Sequence, residues 1–366
     1  MNFKIDKNEF IKILQRVQGI VEKKNTMPVL ANVLLETKGS GINIMATDLE
    51  IFIKDTVSAQ VEEEGSVTVN AKKLYEIVKE LPEKEVDVKL GSGDKLTVKS
   101  GKSRFNILGL PAKEFPGFPE IDESTFKKVD NETLKEMIEK TAFAVSTDET
   151  RYNINGFYIE KDGDVVRIVT TDGHRLAVIE KEASKVNAPT EGVILPRKGV
   201  NEIKRLLEEK DGNFELSITE KSATLKNNET IINVRLIEGE FPDYKQVVPK
   251  ENDKLIKTDK TSFLSALKRV SLLSSDRIKG VKFSIKEGSA KLSSSSPDIG
   301  DADEDINIDY SGEELEVAFN AKYFIDALEA IDEENVDIQL KDSLSPCIME
   351  PESNKTYKYI IMPMRL

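Results

Sequence analysis

The chain has 366 residues, 39% of them hydrophobic and 33% charged, with 53 lysines and arginines against 66 aspartates and glutamates. That apolar content is enough for several packed cores and excludes wholesale disorder, and the length fits two or three domains. A net charge of −13 should repel nucleic acid unless the cations are gathered on one surface.

The opening stretch, Met1 to Phe10, alternates apolar and charged residues and lacks the apolar run of a signal peptide. Nowhere do 18 apolar residues run together, and the single cysteine, Cys347, suits a reducing compartment. The expectation is a cytoplasmic protein with no membrane span. Behind Asp6, a good helix cap, Phe10, Ile13, Leu14 and Val17 fall on one helical face. A period-two strand pattern follows at Ile42 to Ile44, and a second helix starts at Asn70 with Leu74 and Ile77 on its apolar face. Gly91-Ser92-Gly93-Asp94-Lys95 reads as a hairpin turn, and Phe115-Pro116-Gly117-Phe118-Pro119 marks a boundary.

The plan then repeats. Asp130 precedes Leu134, Met137 and Ile138; Val165 to Val169 alternates; Asp162-Gly163 and Asp172-Gly173 make tight turns. A helix from Pro196 carries Val200 and Ile203, a strand spans Phe214 to Ile218, and a polar segment from Val248 to Asp253 closes the repeat. In the third copy Asp259 precedes Phe263, Leu264, Leu267 and Val270, Asn320 opens a helix bearing Phe324 and Ala327, and Tyr357 to Ile361 is a last strand. Asn70, Pro196 and Asn320 are separated by 126 and 124 residues, one domain length. The fold class expected is α+β: three pseudo-repeated domains over 1–121, 127–248 and 253–366, each with two helices packed on antiparallel sheets.

Catalytic chemistry is sparse. The only histidine is His174, which excludes a two-histidine metal site, and no GxxxxGK[ST] phosphate loop occurs. Asp301-Ala302-Asp303-Glu304-Asp305 begins like a calcium loop but has Ile306 where the turn glycine belongs and Gly312 where the bidentate glutamate belongs. No metal and no cofactor are expected. Charge is unevenly distributed: the six helical stretches sum to +3 and everything else to −16. Lys12, Arg16, Lys72, Lys73, Lys79, Arg197, Lys198, Lys204, Arg205, Lys268 and Arg269 could therefore form a shared basic surface.

Four motifs, TTDGHRLAV (170–178), PRKGV (196–200), FPDY (241–244) and the terminal MPMRL (362–366), resemble the bacterial sliding clamps, the beta subunits of DNA polymerase III. The resemblance covers the whole chain. It implies a head-to-tail homodimer whose six domains close into a ring around duplex DNA, held without base readout. It implies a non-enzymatic processivity factor, polymerase activity belonging to the holoenzyme, with the replicative polymerase, a clamp loader and repair proteins as partners. A DNA-free scaffold of three repeated domains is the alternative. Lys24, Lys72, Tyr152 and Arg197 would touch DNA, with Asp148 and Asn153 departing from better-known relatives.

The acidic stretch 298–305, with Asp298, Asp301, Asp303 and Glu304, faces a candidate counterpart in the first domain, where Lys102 and Arg104 flank Phe105 and Ile107. In similar clamps Leu272 and Leu273 add apolar contacts, and Lys73 joins the interface set. The resemblance places a partner-peptide groove at Ile154, Thr171, Gly173, His174, Arg175, Leu176, Pro242, Val247, Asn320, Tyr323, Ile360, Met362, Pro363, Met364 and Arg365. His174 and Arg175 would hold the peptide's polar ends there. Gln246 departs from the usual arginine.

Overall fold

The structure, a computed structural model, describes residues 1–21, 27–209, 212–274 and 279–365. Lys24 and Leu366 lie outside the described residues. Helices form where the apolar spacing predicts them: α1 Lys7–Gln18, α2 Ala71–Glu80, α3 Asn131–Thr141, α4 Arg197–Glu209, α5 Lys260–Ser271 and α6 Ala321–Ala330. Asp6, Asp130 and Asp259 are the caps expected, and Asn70 and Asn320 cap their helices as well: each of the five accepts from a backbone N–H of the first turn. Each cap satisfies a donor that the helix itself leaves unpaired. The predicted apolar faces are buried, with Phe10, Leu14 and Val17 in α1, Leu134 and Met137 in α3, and Phe263 and Leu267 in α5. Leu264 is half-buried.

The chain divides into two compact units, Met1–Val129 with Asn201–Leu236, and Asp130–Val200 with Ile237–Leu366. The first unit holds a five-stranded sheet ending in edge strand Ser103–Leu108, and an eight-stranded sheet. In that larger sheet Thr230–Arg235 pairs antiparallel with Ile51–Ser58, so a strand from the central repeat extends the sheet of the first. The second unit repeats the arrangement: Tyr357–Ile361 pairs with Arg175–Glu182 in an eight-stranded sheet, and a four-stranded sheet ends in edge strand Gly300–Asn307. The sequence pattern does not predict sheets that cross repeat boundaries. Edge N–H and C=O groups need partners, and a strand from the neighbouring repeat supplies them.

Two local expectations resolve differently. Gly91–Lys95 is the turn predicted, with a short 3-10 segment at Ser92–Asp94. The acidic run at 301–305 is neither a calcium loop nor a solvated loop but part of the edge strand Gly300–Asn307. Cys347 is fully buried, and desolvation pushes its thiol well above the ordinary range. Iodoacetamide at pH 8 should leave the native thiol unmodified and label it quantitatively in urea; rapid native labelling, read by mass spectrometry, would contradict this burial.

Candidate functional site

In the second unit the strands Val165–Thr171 and Arg175–Glu182 are joined by the turn Asp172-Gly173-His174. Thr171 Oγ1 accepts from Gly173 N at 3.0 Å, and Asp172 Oδ1 accepts from His174 N at 2.9 Å and Arg175 N at 3.0 Å. Gly173 has φ +89°, a region that favours glycine, and a Cβ there would meet the Arg151 guanidinium at 2.8 Å. The turn leaves His174 exposed, stacked on Tyr323 of α6 with ring centroids 6.2 Å apart.

Arg175 does not behave as the resemblance led one to expect. It is 8% exposed, and each guanidinium nitrogen is engaged: Nε with Asp172 at 3.1 Å, Nη1 with Asp326 at 2.6 Å, Nη2 with the Phe143 carbonyl at 2.6 Å. The guanidinium also lies 4.7 Å from the Tyr323 ring centroid and 5.2 Å from that of Phe143. With all three guanidinium nitrogens bonded inside the protein, Arg175 fixes the wall, and His174 is the exposed side chain beside it.

The floor is a cluster of Val169, Leu176, Val178, Tyr244, Ile348 and Ile360, against which Tyr158, Phe241, Val247 and Val248 pack. Tyr244 donates to Glu160 at 2.6 Å and Tyr158 donates to it at 3.2 Å, while Tyr158 stacks on Phe241 at 4.8 Å. Desolvation, with the nearby Glu160 charge, pushes the Tyr158 phenol up to about 12, so it remains a donor at neutral pH. The terminal segment is tied down by its backbone, Met362 N to the His174 carbonyl at 2.9 Å and Met364 N to the Ala318 carbonyl at 2.8 Å. Those bonds leave Met362, Pro363 and Met364 half-buried and Arg365 exposed.

Among the expected groove residues, Gly173, His174, Pro242, Val247, Asn320, Tyr323 and the 362–365 segment reach the surface. Thr171, Leu176 and Ile360 are buried beneath, and Ile154 is core. Sequence reasoning missed Glu160, Ile348 and Asp326, which support the site from other strands and from α6. Only FPDY hinted at them, since a tyrosine among prolines needs a hydroxyl partner that the motif itself does not contain.

Most of the candidate interface residues fall on or just before the two edge strands. On Ser103–Leu108, Arg104 is exposed beside Phe105 and an 80% exposed Leu108, with Lys102 exposed just before it and Ile107 half-buried. On and near Gly300–Asn307, Asp298, Asp301 and Asp303 are exposed, as is Ile299. Leu272 is 77% exposed and Leu273 half-buried. Two carboxylates already have partners within the chain, Glu304 with Arg269 and Asp303 with Lys291 at 3.0 Å. Lys73 pairs with Glu76 at 2.8 Å.

The helical cations are partly spoken for. Arg16 is 2% exposed and ion-paired with Asp55 and Glu209, which removes it from any basic surface. Lys204, Arg205, Lys268 and Arg269 also have carboxylate partners. Lys72 stays exposed 3.7 Å from Glu76, Arg197 is half-buried, and Tyr152 is 59% exposed. Asp148 caps a turn through Thr150, whose bonds hold its carboxyl below the usual range, and Asn153 donates to the Glu240 carbonyl at 3.4 Å. No described helix is long and apolar enough to cross a membrane.

The described residues thus combine buried arginine scaffolding, an apolar floor with a thioether rim, and two exposed sheet edges of opposite charge. Profiles of the DNA polymerase III beta subunit match in series: N-terminal domain over 1–119, central domain over 128–243 and C-terminal domain over 245–365. The chain is 36% identical over 368 residues to the beta sliding clamp of Pseudomonas putida and 34% identical to that of Escherichia coli K12, with both chains fully covered in each case. The crystal structure of the DNA polymerase III subunit beta from Pseudomonas aeruginosa superposes with a TM-score of 0.95 at 35% identity, covering both chains fully. The sliding clamp of Bacillus subtilis gives 0.94 at 29%, covering 100% of this chain and 99% of that one. The chain belongs to the bacterial beta sliding clamp family, the accessory beta subunits of DNA polymerase III.

Proposed function

We propose that two copies of this clamp close head to tail into a ring around duplex DNA and tether a DNA polymerase through the groove of the second unit. The observation that carries the reading is the pair of unsatisfied edges. Ser103–Leu108 is basic and apolar, Gly300–Asn307 is acidic, and an isologous pair of such contacts closes a two-fold ring. The family membership disfavours the rival of a scaffold that works without DNA. Lys72, Arg197, Tyr152 and, beyond the described residues, Lys24 would make loose phosphate contacts, and retention would come from topology. Three domains with the boundaries 1–121, 127–248 and 253–366, two copies of each, make up the ring. Short, partly apolar peptides of the polymerase, the loader and repair proteins would seat their anchors on Leu176, Val247 and Ile360, with Met362 and Met364 adapting to each. The cytoplasm is the place for this work.

Once loaded, the ring should stay on nicked circular plasmid through gel filtration and run off after a single restriction cut. Equal retention on the two forms would rule out encirclement.

A further inference from the structure

The groove turn of the second unit has a counterpart in the first, hydrogen bond by hydrogen bond. Leu49 N donates to Thr47 Oγ1 at 2.9 Å, and Glu50 N and Ile51 N donate to Asp48 Oδ1 at 3.0 and 2.7 Å, as Gly173, His174 and Arg175 do to Thr171 and Asp172. Arg235 N reaches the Glu50 carbonyl at 2.8 Å, matching Met362 N on the His174 carbonyl at 2.9 Å. The strand registers agree: Ile51 opposes Val234 as Arg175 opposes Ile361. Even the wall repeats, because Phe115-Pro116-Gly117-Phe118 reads as Phe241-Pro242-Asp243-Tyr244 does, and Phe118 packs edge-on to Phe52 at 6.0 Å.

Three features separate this copy from a spent relic. Leu49 takes the position of Gly173 at φ +78°, a backbone region costly for leucine, and its side chain is 42% exposed. An exposed side chain adds little to the core, so folding alone gives no return for that strain. Phe52 and Phe118 are half-buried, where Leu176 and Tyr244 are buried. The rim residue also differs. Glu50, exposed and anionic, stands where His174 stands.

We propose that the first unit carries a second docking surface, built on Leu49, Phe52 and Phe118, for a short peptide that presents an aliphatic or aromatic anchor beside lysine or arginine. The Glu50 carboxylate favours a basic segment, where the other groove presents His174 instead, so one subunit can hold two partners of different chemistry. The inference rests on the reading of the Thr171–Leu176 frame as a peptide seat.

The test uses the full-length protein and two fluorescein-labelled probes: the peptide Lys-Leu-Lys-Leu-Phe and a peptide spanning the clamp-binding segment of a replicative polymerase. The basic probe should bind in the presence of saturating unlabelled polymerase peptide. Leu49→Gly relieves the backbone strain, so its Tm should equal or exceed that of the parent while basic-probe affinity falls at least tenfold. Glu50→Lys should reduce it similarly, and neither change should move polymerase-peptide binding. The proposal is overturned if the basic probe fails to bind, if it binds Leu49→Gly undiminished, or if Leu49→Gly sediments as a monomer, which would make the patch a self-association surface. Failure of the polymerase peptide alone would instead overturn the groove of the second unit.

Discussion

Replacing Asp55 by alanine should destabilise the first unit by about 3–5 kcal/mol, the usual cost of leaving a buried charge without its partner. Asp55 is 1% exposed, receives the Arg16 guanidinium, and accepts from Thr230 Oγ1 at 2.9 Å. Arg16 Nε also binds Glu209 at 3.0 Å, which is 37% exposed and can turn to solvent. The asymmetry matters: without Asp55 the arginine has no comparable refuge, since its Nη2 is buried with no hydrogen-bond partner among the described residues. Differential scanning calorimetry should show the transition assigned to this unit lowered by on the order of 10 °C. The double change Arg16→Met with Asp55→Val should recover most of the loss, because apolar residues of similar size replace buried ion pairs at little net cost. If the single and double variants melt alike, the pair is not the source of the stability.

The second large effect concerns ring closure. Lys102→Glu with Arg104→Glu places two carboxylates on the edge that should meet Asp298, Asp301 and Asp303 of a second copy. Rim charges are individually weak, about 1 kcal/mol each when reversed. A two-fold ring contains every contact twice, so two substitutions act at four places and sum to about 4 kcal/mol, roughly a thousandfold in the dimer dissociation constant. Sedimentation velocity across nanomolar to micromolar concentrations should then show monomer where the parent is dimeric, with unchanged circular dichroism. The charge swap is predicted to be salt-sensitive, as exposed pairs are. A dimer of parental strength would show that these edges do not form the interface.

Much of this architecture was legible because helices and strands are written locally. Asp6, Asp130 and Asp259 cap their helices through atoms two or three residues away, and the 3.6-residue spacing of Phe10, Leu14 and Val17 needs no knowledge of what they pack against. The groove was legible only through resemblance, since its floor draws Leu176, Tyr244 and Ile360 from three separate stretches. Arg16 and Arg175 were misread for one reason. Arg16 was read as part of a basic surface and Arg175 as a groove residue, and the sequence did not show their partners 39 and 151 residues away, Asp55 and Asp326.

From the sequence alone came the three repeats, the places of the six helices and the uneven distribution of charge along the chain, all properties of composition and short-range spacing. Tertiary structure alone decided that strands cross repeat boundaries, that two arginines are scaffolding, that an acidic run is an edge strand, and that one turn geometry occurs in both units. Pairing across a sheet and burial of a charge depend on which distant groups the chain brings within 3 Å, and no local pattern encodes that.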